Sequence, residues 1–278
     1  MGEKGKAVWF WGLLFLLLSL GPFSISAAAD KAEIKWRQLL PGMEFGFLDA
    51  EATVRTGSSR VAVLRVDPRR FRFRVLAARP GSRGHDAGQW RQKTGALAVV
   101  NAGQYDADHN YLGLLVYNGK VQGRLASRQD GLFVSDPDDP FLPPARVIDL
   151  RYTAFDLLRS PYRQAAQSLM LLDRFGQIRV RRSPRIANRT ALAQDVSGRI
   201  LIMTTEGGHT LWELAGYLKK AGLKLREVMC MDGGREAQLD LEAGGFSYKQ
   251  YGEPPSPADL PLPWPSPSLP AALGVFPR

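Results

Sequence analysis

The feature that most narrows what this chain can fold into is its apolar patterning, which is short and strand-like almost throughout and helical in one clear place. Val61-Ala62-Val63-Leu64-Arg65-Val66 and Phe71-Arg72-Phe73-Arg74-Val75 read as two strands across the Asp67-Pro68 turn. Phe71 and Phe73 face one way and Arg72 and Arg74 the other, because strand side chains alternate. Residues 96–100 are continuously apolar, as in a strand buried on both faces. Asn118-Gly119, set between Leu114-Leu115-Val116-Tyr117 and Lys120-Val121, predicts a tight hairpin, since Asn-Gly tolerates positive φ at both turn positions. Further strands are expected over 131–134, 165–172, 199–205 and 227–231, with a loop over 135–144 and a turn at Asp173-Arg174-Phe175-Gly176.

The helical period appears after Thr210. Thr210-Leu211-Trp212-Glu213 has the spacing of a capping box; Leu211, Leu214, Ala215 and Leu218 share one face, and Gly222 closes the helix. A second, short helix is expected within 81–94. Strand, helix and strand in succession predict a crossover between parallel neighbours over 199–231. The expected fold class is therefore α/β or α+β: one domain with a mixed, strongly bent sheet flanked by a few helices.

At the amino end Lys4 and Lys6 precede a short apolar run, and Ala27-Ala28-Ala29 offers a small-residue cleavage site, so residues 1–29 read as a secretory signal peptide. The run falls short of the roughly 20 residues that span a bilayer, although retention as an anchor stays open. A periplasmic or secreted location is expected, with residues 30–252 as the domain. Residues 253–278 form a tail in which proline density argues against sheet or helix, leaving Trp264 and Phe276 to dock on a partner or on the domain. The formal charge is +10, and removing 1–29 with Glu3, Lys4 and Lys6 leaves +9, a balance that favours solubility or steers the chain toward anionic partners. Cys230 is the only cysteine, so no intramolecular disulfide can form; its apolar neighbours predict an inert, buried thiol.

Two apolar strands end in turns of similar make-up, Val99-Val100-Asn101-Ala102-Gly103 and Cys230-Met231-Asp232-Gly233-Gly234. Polar groups at the ends of buried strands are well placed for chemistry, because the strand fixes position and glycine bares backbone amides. Between them lies Asn188-Arg189-Thr190, where Arg189 can fork two hydrogen bonds onto a phosphate while amides of the Gly233-Gly234 turn cradle its other oxygens. Asn188-Arg189-Thr190 also matches a glycosylation sequon, read here as coincidence. Asp106-Ala107-Asp108-His109-Asn110 begins like a calcium loop, but Tyr117 stands where a bidentate glutamate is required. His85, His109 and His209 are too scattered for a zinc signature, and no nucleophile elbow, P-loop or nucleic-acid reader motif is present.

The order of these pieces resembles the phosphodiester glycosidase family, to which the animal lysosomal uncovering enzyme belongs. The matching residues are Asn101-Ala102-Gly103-Gln104-Tyr105-Asp106, Leu112-Gly113-Leu114-Leu115 with Asn118-Gly119, Arg189-Thr190-Ala191-Leu192-Ala193, the strand at 199–205, Thr210-Leu211-Trp212-Glu213-Leu214-Ala215 and Asp232-Gly233-Gly234. The likeness covers roughly residues 60–242. The chain departs from it at Ala102, at Gln104-Tyr105 and at Arg235-Glu236. The resemblance implies a hydrolase or transglycosylase that cleaves a glycosyl phosphodiester of envelope or extracellular glycans. It assigns Arg189 to the phosphate, Asp232 to a water, metal or sugar hydroxyl, and Asn101 to orienting the substrate. Glu206 is a candidate base, and Gly103, Tyr105, Thr190, Gly233 and Gly234 are expected at the substrate; a divalent cation is left open. Two other functions stay in view: a non-catalytic phosphoglycan-binding module of the same fold, and an envelope protein acting through its proline-rich tail.

Overall fold

The short apolar runs become sixteen strands among the described residues, which in this computed structural model are 1–2, 34–79, 82–106, 108, 110–157, 159–252 and 267–278. All but the first two residues of the expected leader, and the proline-rich stretch around Trp264, lie outside them. In chain order the strands are β1 (Arg37–Leu40), β2 (Met43–Asp49), β3 (Arg60–Val66), β4 (Phe71–Ala77), β5 (Ala98–Asn101), β6 (Leu114–Tyr117), β7 (Lys120–Gly123) and β8 (Gly131–Pro137). They continue with β9 (Ala145–Asp149), β10 (Tyr162–Leu172), β11 (Arg189–Asp195), β12 (Ile200–Thr205), β13 (Leu225–Gly233), β14 (Gln238–Ala243), β15 (Phe246–Tyr251) and β16 (Ala271–Pro277). Two α-helices, α1 (Ala87–Thr94) and α2 (Leu211–Lys220), complete the list of longer elements.

The larger sheet runs β1-β2-β3-β12-β11-β13-β10-β6-β7, with β8 on β10 and β9 on β8; the smaller runs β15-β14-β5-β16-β4. One core joins them. Leu64, Leu192, Ile202 and Met229 of the larger sheet meet Phe73, Val100, Leu239 and Leu273 of the smaller in a single apolar cluster. The opposite face of the larger sheet, with Val63, Ala191, Leu201 and Val228, is covered by Leu214, Ala215 and Leu218 of α2. Helix α1 covers the outer face of the smaller sheet through Ala87 and Trp90 against Val99 and Ala272. Central strands are thus enclosed on both sides, which is why their sequences are continuously apolar instead of alternating.

Local expectations hold where the cause is local. Asn118 and Gly119 have φ of 50° and 76° and join β6 to β7. Thr210 caps α2, accepting from the Glu213 amide at 3.2 Å, but the expected capping box is only half formed, since the Glu213 carboxylate takes the Thr210 hydroxyl at 2.7 Å and Arg55 instead of the Thr210 amide. Gly222, at φ 74°, follows the last turn. Helix α1 carries a full capping box between Asp86 and Gln89. Cys230 is buried in β13, and burial pushes its thiol up to about 12.

The expected α/β or α+β class with a mixed sheet is overturned. Every strand pairing among the described residues is antiparallel, and only two α-helices accompany the strands. Helix α2 does link two strands that run the same way, β12 and β13, but β11 lies between them and pairs antiparallel with both. Strand, helix and strand in sequence cannot reveal a third strand arriving from upstream to fill the gap. The two strands read across the Asp67-Pro68 turn are present as β3 and β4, and they belong to different sheets. The last correction concerns the tail. Ala271–Pro277 is β16, held between β5 and β4. The residues 271–276 contain no proline, so every amide needed for the ladder is present and the upstream prolines do not interfere.

Candidate active site

The antiparallel pair β11 and β13 of the larger sheet and the end of β5 in the smaller bring the candidate residues together. Arg189 opens β11 and stands opposite Gly233 near the end of β13. The Gly234 amide donates to the Asn188 carbonyl at 2.9 Å, which locks the two segments past the last ladder pair. Asn101 ends β5 in the other sheet, is fully buried, donates from Nδ2 to the Asp232 carbonyl at 3.0 Å and accepts from the Gln238 amide at 3.3 Å. The structure therefore converges Asn101, Arg189 and Asp232, although Asn101 grips the backbone of Asp232 and not its carboxylate.

Arg189 is 6% exposed. Its Nε donates to the His209 carbonyl at 3.0 Å and Nη2 to the Arg185 carbonyl at 2.7 Å. Nη1 has no hydrogen-bond partner among the described residues, and Arg189 forms no ion pair among them. Burial lowers its pKa, the nearby Arg185 charge acts in the same direction, and Cys230 and Asp232 oppose it. Two neutral carbonyls thus aim a cation that forms no direct ion pair among the described residues. A side chain at Gly233 would place a Cβ 2.8 Å from the Asn188 carbonyl and 3.0 Å from Arg189 Nη1, so glycine is what keeps this edge of the guanidinium open.

The Asp232 carboxylate accepts from the Gly233 amide at 2.8 Å. Burial raises its pKa to about 6 and the Glu236 charge adds to the rise, while the amides of Gly233 and Tyr105 and the Arg185 charge pull it down. It is a carboxyl poised to exchange a proton near neutrality. Because the Gly233 amide is taken by Asp232 and the Gly234 amide by Asn188, that turn does not offer the pair of free amides expected for phosphate oxygens.

The other expected residues fall around this centre. Gly103 is buried with φ 60°, its amide 3.1 Å from the Met231 sulfur, and Tyr111 fills the space a side chain would need. Tyr105 hydrogen-bonds through its hydroxyl to the carbonyls of Ala102 and Ala271, tying β16 to the site. Thr190 is buried, pairs with Thr204 across β11 and β12, and its hydroxyl has no partner among the described residues. Glu206 has both oxygens engaged, by Ser58 at 2.9 Å and Tyr248 at 3.0 Å, with Arg60 at 3.7 Å; none of these partners is shared with Asn101, Arg189 or Asp232. Asn188 is only 5% exposed and donates to the Thr205 carbonyl, so the sequon is not presented to solvent.

Sequence reasoning missed three neighbours. Arg185, exposed, acts on both Arg189 and Asp232; its signal was only the position four residues before Arg189. Glu236 acts on Asp232 and was visible solely as a departure from the family pattern. His209, weighed only as a zinc ligand, is fully buried beside Arg189, with Nε2 unpartnered among the described residues and burial lowering its pKa. Among the described residues no group of three or more His, Cys, Asp or Glu is placed to hold a metal ion.

The family model for phosphodiester glycosidases matches residues 94–263, more than half of the chain. The chain belongs to the phosphodiester glycosidase family. Solved structures agree on the fold. The catalytic domain of zebrafish N-acetylglucosamine-1-phosphodiester alpha-N-acetylglucosaminidase, auto-inhibited by its pro-peptide, superposes with a TM-score of 0.61 at 18% identity over 88% of each chain. A hypothetical Synechocystis protein gives 0.53 at 14% identity over 90% of this chain and 65% of that one. A Burkholderia pseudomallei K96243 protein described as exported gives 0.51 at 12% identity over 80% and 74%. None of the curated proteins matches the chain. In this chain the family segment contains β5, β11 and β13, the strands that carry Asn101, Arg189 and Asp232.

Proposed function

We propose that this member of the family hydrolyses a glycosyl phosphodiester of envelope or extracellular glycans. The carrying observation is the buried, uncompensated charge of Arg189, held by two carbonyls with Nη1 free. A cation desolvated without a carboxylate is costly to fold around, and a phosphate arriving at Nη1 would remove that cost. Arg185 adds a second positive charge from the rim.

In this reading the bond between the anomeric carbon and the bridging phosphate oxygen breaks, and its electrons leave with the phosphate. Arg189 and Arg185 stabilise the departing charge; a phosphate monoester is a good leaving group that needs little protonation. Water adds to the oxocarbenium-like sugar and gives its proton to Asp232, whose carboxylate is half-ionised near pH 6. Asn101 fixes the Asp232 backbone, Tyr105 and Gly103 form the wall behind it, and Thr190 offers a buried hydroxyl. Glu206 stands second to Asp232 because its oxygens are engaged. The leader read in residues 1–29, together with the likeness to a protein described as exported, supports action in the periplasm or outside the cell. Among the described residues no helix is long and apolar enough to cross a membrane.

A phosphoglycan-binding module without turnover is favoured by one observation, the engagement of both turn amides. Phosphorus NMR of the chain mixed with an aryl sugar-1-phosphodiester separates the two. Conversion of diester to monoester, lost in Arg189→Met, supports hydrolysis; saturable binding with no monoester formed supports the module.

A further inference from the structure

A groove of ≈ 780 Å³ adjoins the candidate site, walled by Tyr111, Leu112 and Gly113 on one side and by Gly123, Arg124, Leu125 and Arg128 on the other. Its volume fits several sugar or phosphate units. Arg124 and Arg128 are exposed, and neither forms an ion pair or side-chain hydrogen bond among the described residues. Two free guanidinium groups on one lip attract anions, and the half-exposed Leu112 and Leu125 suit the apolar face of a sugar or glycerol unit.

The groove is built, not a slack loop. The buried side chain of Gln167 accepts from the amides of Leu114 and Ala126 and donates to the carbonyls of Ala126 and Gln129, so one amide fixes the arginine-bearing segment against β6. Under Gly113 the amide of Gln129, a residue 7% exposed, leaves Oε1 without a partner among the described residues. A Cβ at Gly113 would come within 2.7 Å of that oxygen, and the φ of 122° also calls for glycine there.

The same residues connect groove and site. Tyr111 lines the groove and packs edge-on against Tyr105, ring centroids 5.7 Å apart. Leu112 donates to the Gln104 carbonyl at 2.7 Å, and Gln129 to the Gln104 side chain at 3.2 Å. Gln104-Tyr105 is one of the chain's departures from the family pattern, and here it touches Tyr111 and Leu112 of the groove while the Tyr105 amide pulls down the pKa of Asp232.

We propose that this groove is a subsite for a phosphate-bearing glycan chain extending from the scissile diester, gripped by Arg124 and Arg128. The proposal rests on the hydrolytic reading for its position in the substrate but not for its binding. It makes the preferred substrate a polyanionic chain and not an isolated small diester.

The test is calorimetric binding of a poly(glycerol phosphate) oligomer of about six units to the full chain and to an Arg124→Gln/Arg128→Gln variant, whose substitutions lie on the surface and leave the core intact. Affinity should fall about tenfold or more in the variant, with a weaker dependence on salt. Turnover of a small aryl diester should keep its kcat and KM. Unchanged affinity for the oligomer in the double variant would overturn the proposal, as would equally tight binding of polygalacturonate, which would mark a general polyanion surface. Oligomer binding that depends on both arginines in a chain that cleaves no diester would uphold the groove and sink the catalytic reading instead.

Discussion

Two arginines with little exposure to water are treated in opposite ways by this molecule. Arg179, 6% exposed, donates to Asp130 and to Asp149 at 2.9 Å and lies 3.6 Å from Asp173, and the last two carboxylates are fully buried. The guanidinium of the buried Arg189 meets only the carbonyls of His209 and Arg185 among the described residues. The first arginine is charge-compensated by its own fold and joins the turn after β10 to β9. The second is positioned but left uncompensated, beside an Asp232 that burial holds partly protonated. The contrast separates a cation compensated by its own fold from one that forms no direct ion pair: both are sheltered, and compensation differs.

The largest expected effect breaks this contrast from the ligand side. Arg189→Met should reduce diester turnover by at least about 10³-fold while leaving the unfolding midpoint close to the parent's, because its removal strands no ion-paired carboxylate. Thermal unfolding and a turnover assay on the same preparation check both halves. Arg179→Met should do the reverse. With Asp149 and Asp173 left buried and unpaired, a loss of about 3–5 kcal/mol is expected in urea unfolding, with turnover per folded molecule unchanged.

A third substitution sharpens the picture at Arg189 itself. Gly233→Ala puts a methyl against the Asn188 carbonyl and the guanidinium, so a turnover loss of roughly 10²-fold with a modest loss of stability is expected. The smallest effect is a pH dependence. Asp232 titrates near 6 in the folded chain against 3.8 for an ordinary aspartate, so the folded state prefers the protonated form. Its contribution to stability is fully present below the ordinary value and is lost as pH rises through about 6. Asp232→Asn should therefore be more stable than the parent by about 1–3 kcal/mol above pH 7 and nearly equal to it below pH 4. Denaturant titrations at the two pH values measure this. In the parent chain, on the proposed reading, kcat/KM should rise with pH through the same region, since there the ionised form accepts the water's proton.

How much of this was legible in the chain depends on the range of the interaction. The Thr210 cap, the Asn118-Gly119 turn and the inert Cys230 follow from neighbours a few residues apart. The gathering of Asn101, Arg189 and Asp232 could be anticipated because motif order carried it, but not its chemistry. That the Gly233 amide turns to Asp232 and the Gly234 amide to Asn188 is fixed by the pairing of β11 with β13. The same long-range pairing placed β11 between β12 and β13 and replaced the expected parallel crossover with an antiparallel sheet. β16 shows the opposite failure: proline upstream drew attention away from a proline-free stretch, 271–276, that sits between β5 and β4 in the smaller sheet.

The central claim is that Arg189 is kept uncompensated for a phosphate. Its most direct test is calorimetric titration of a sugar 1-phosphate into the parent chain and into Arg189→Met. The account predicts saturable binding that weakens by about 30-fold or more in the variant while the unfolding midpoint barely moves. Equal affinity in the two proteins would contradict it.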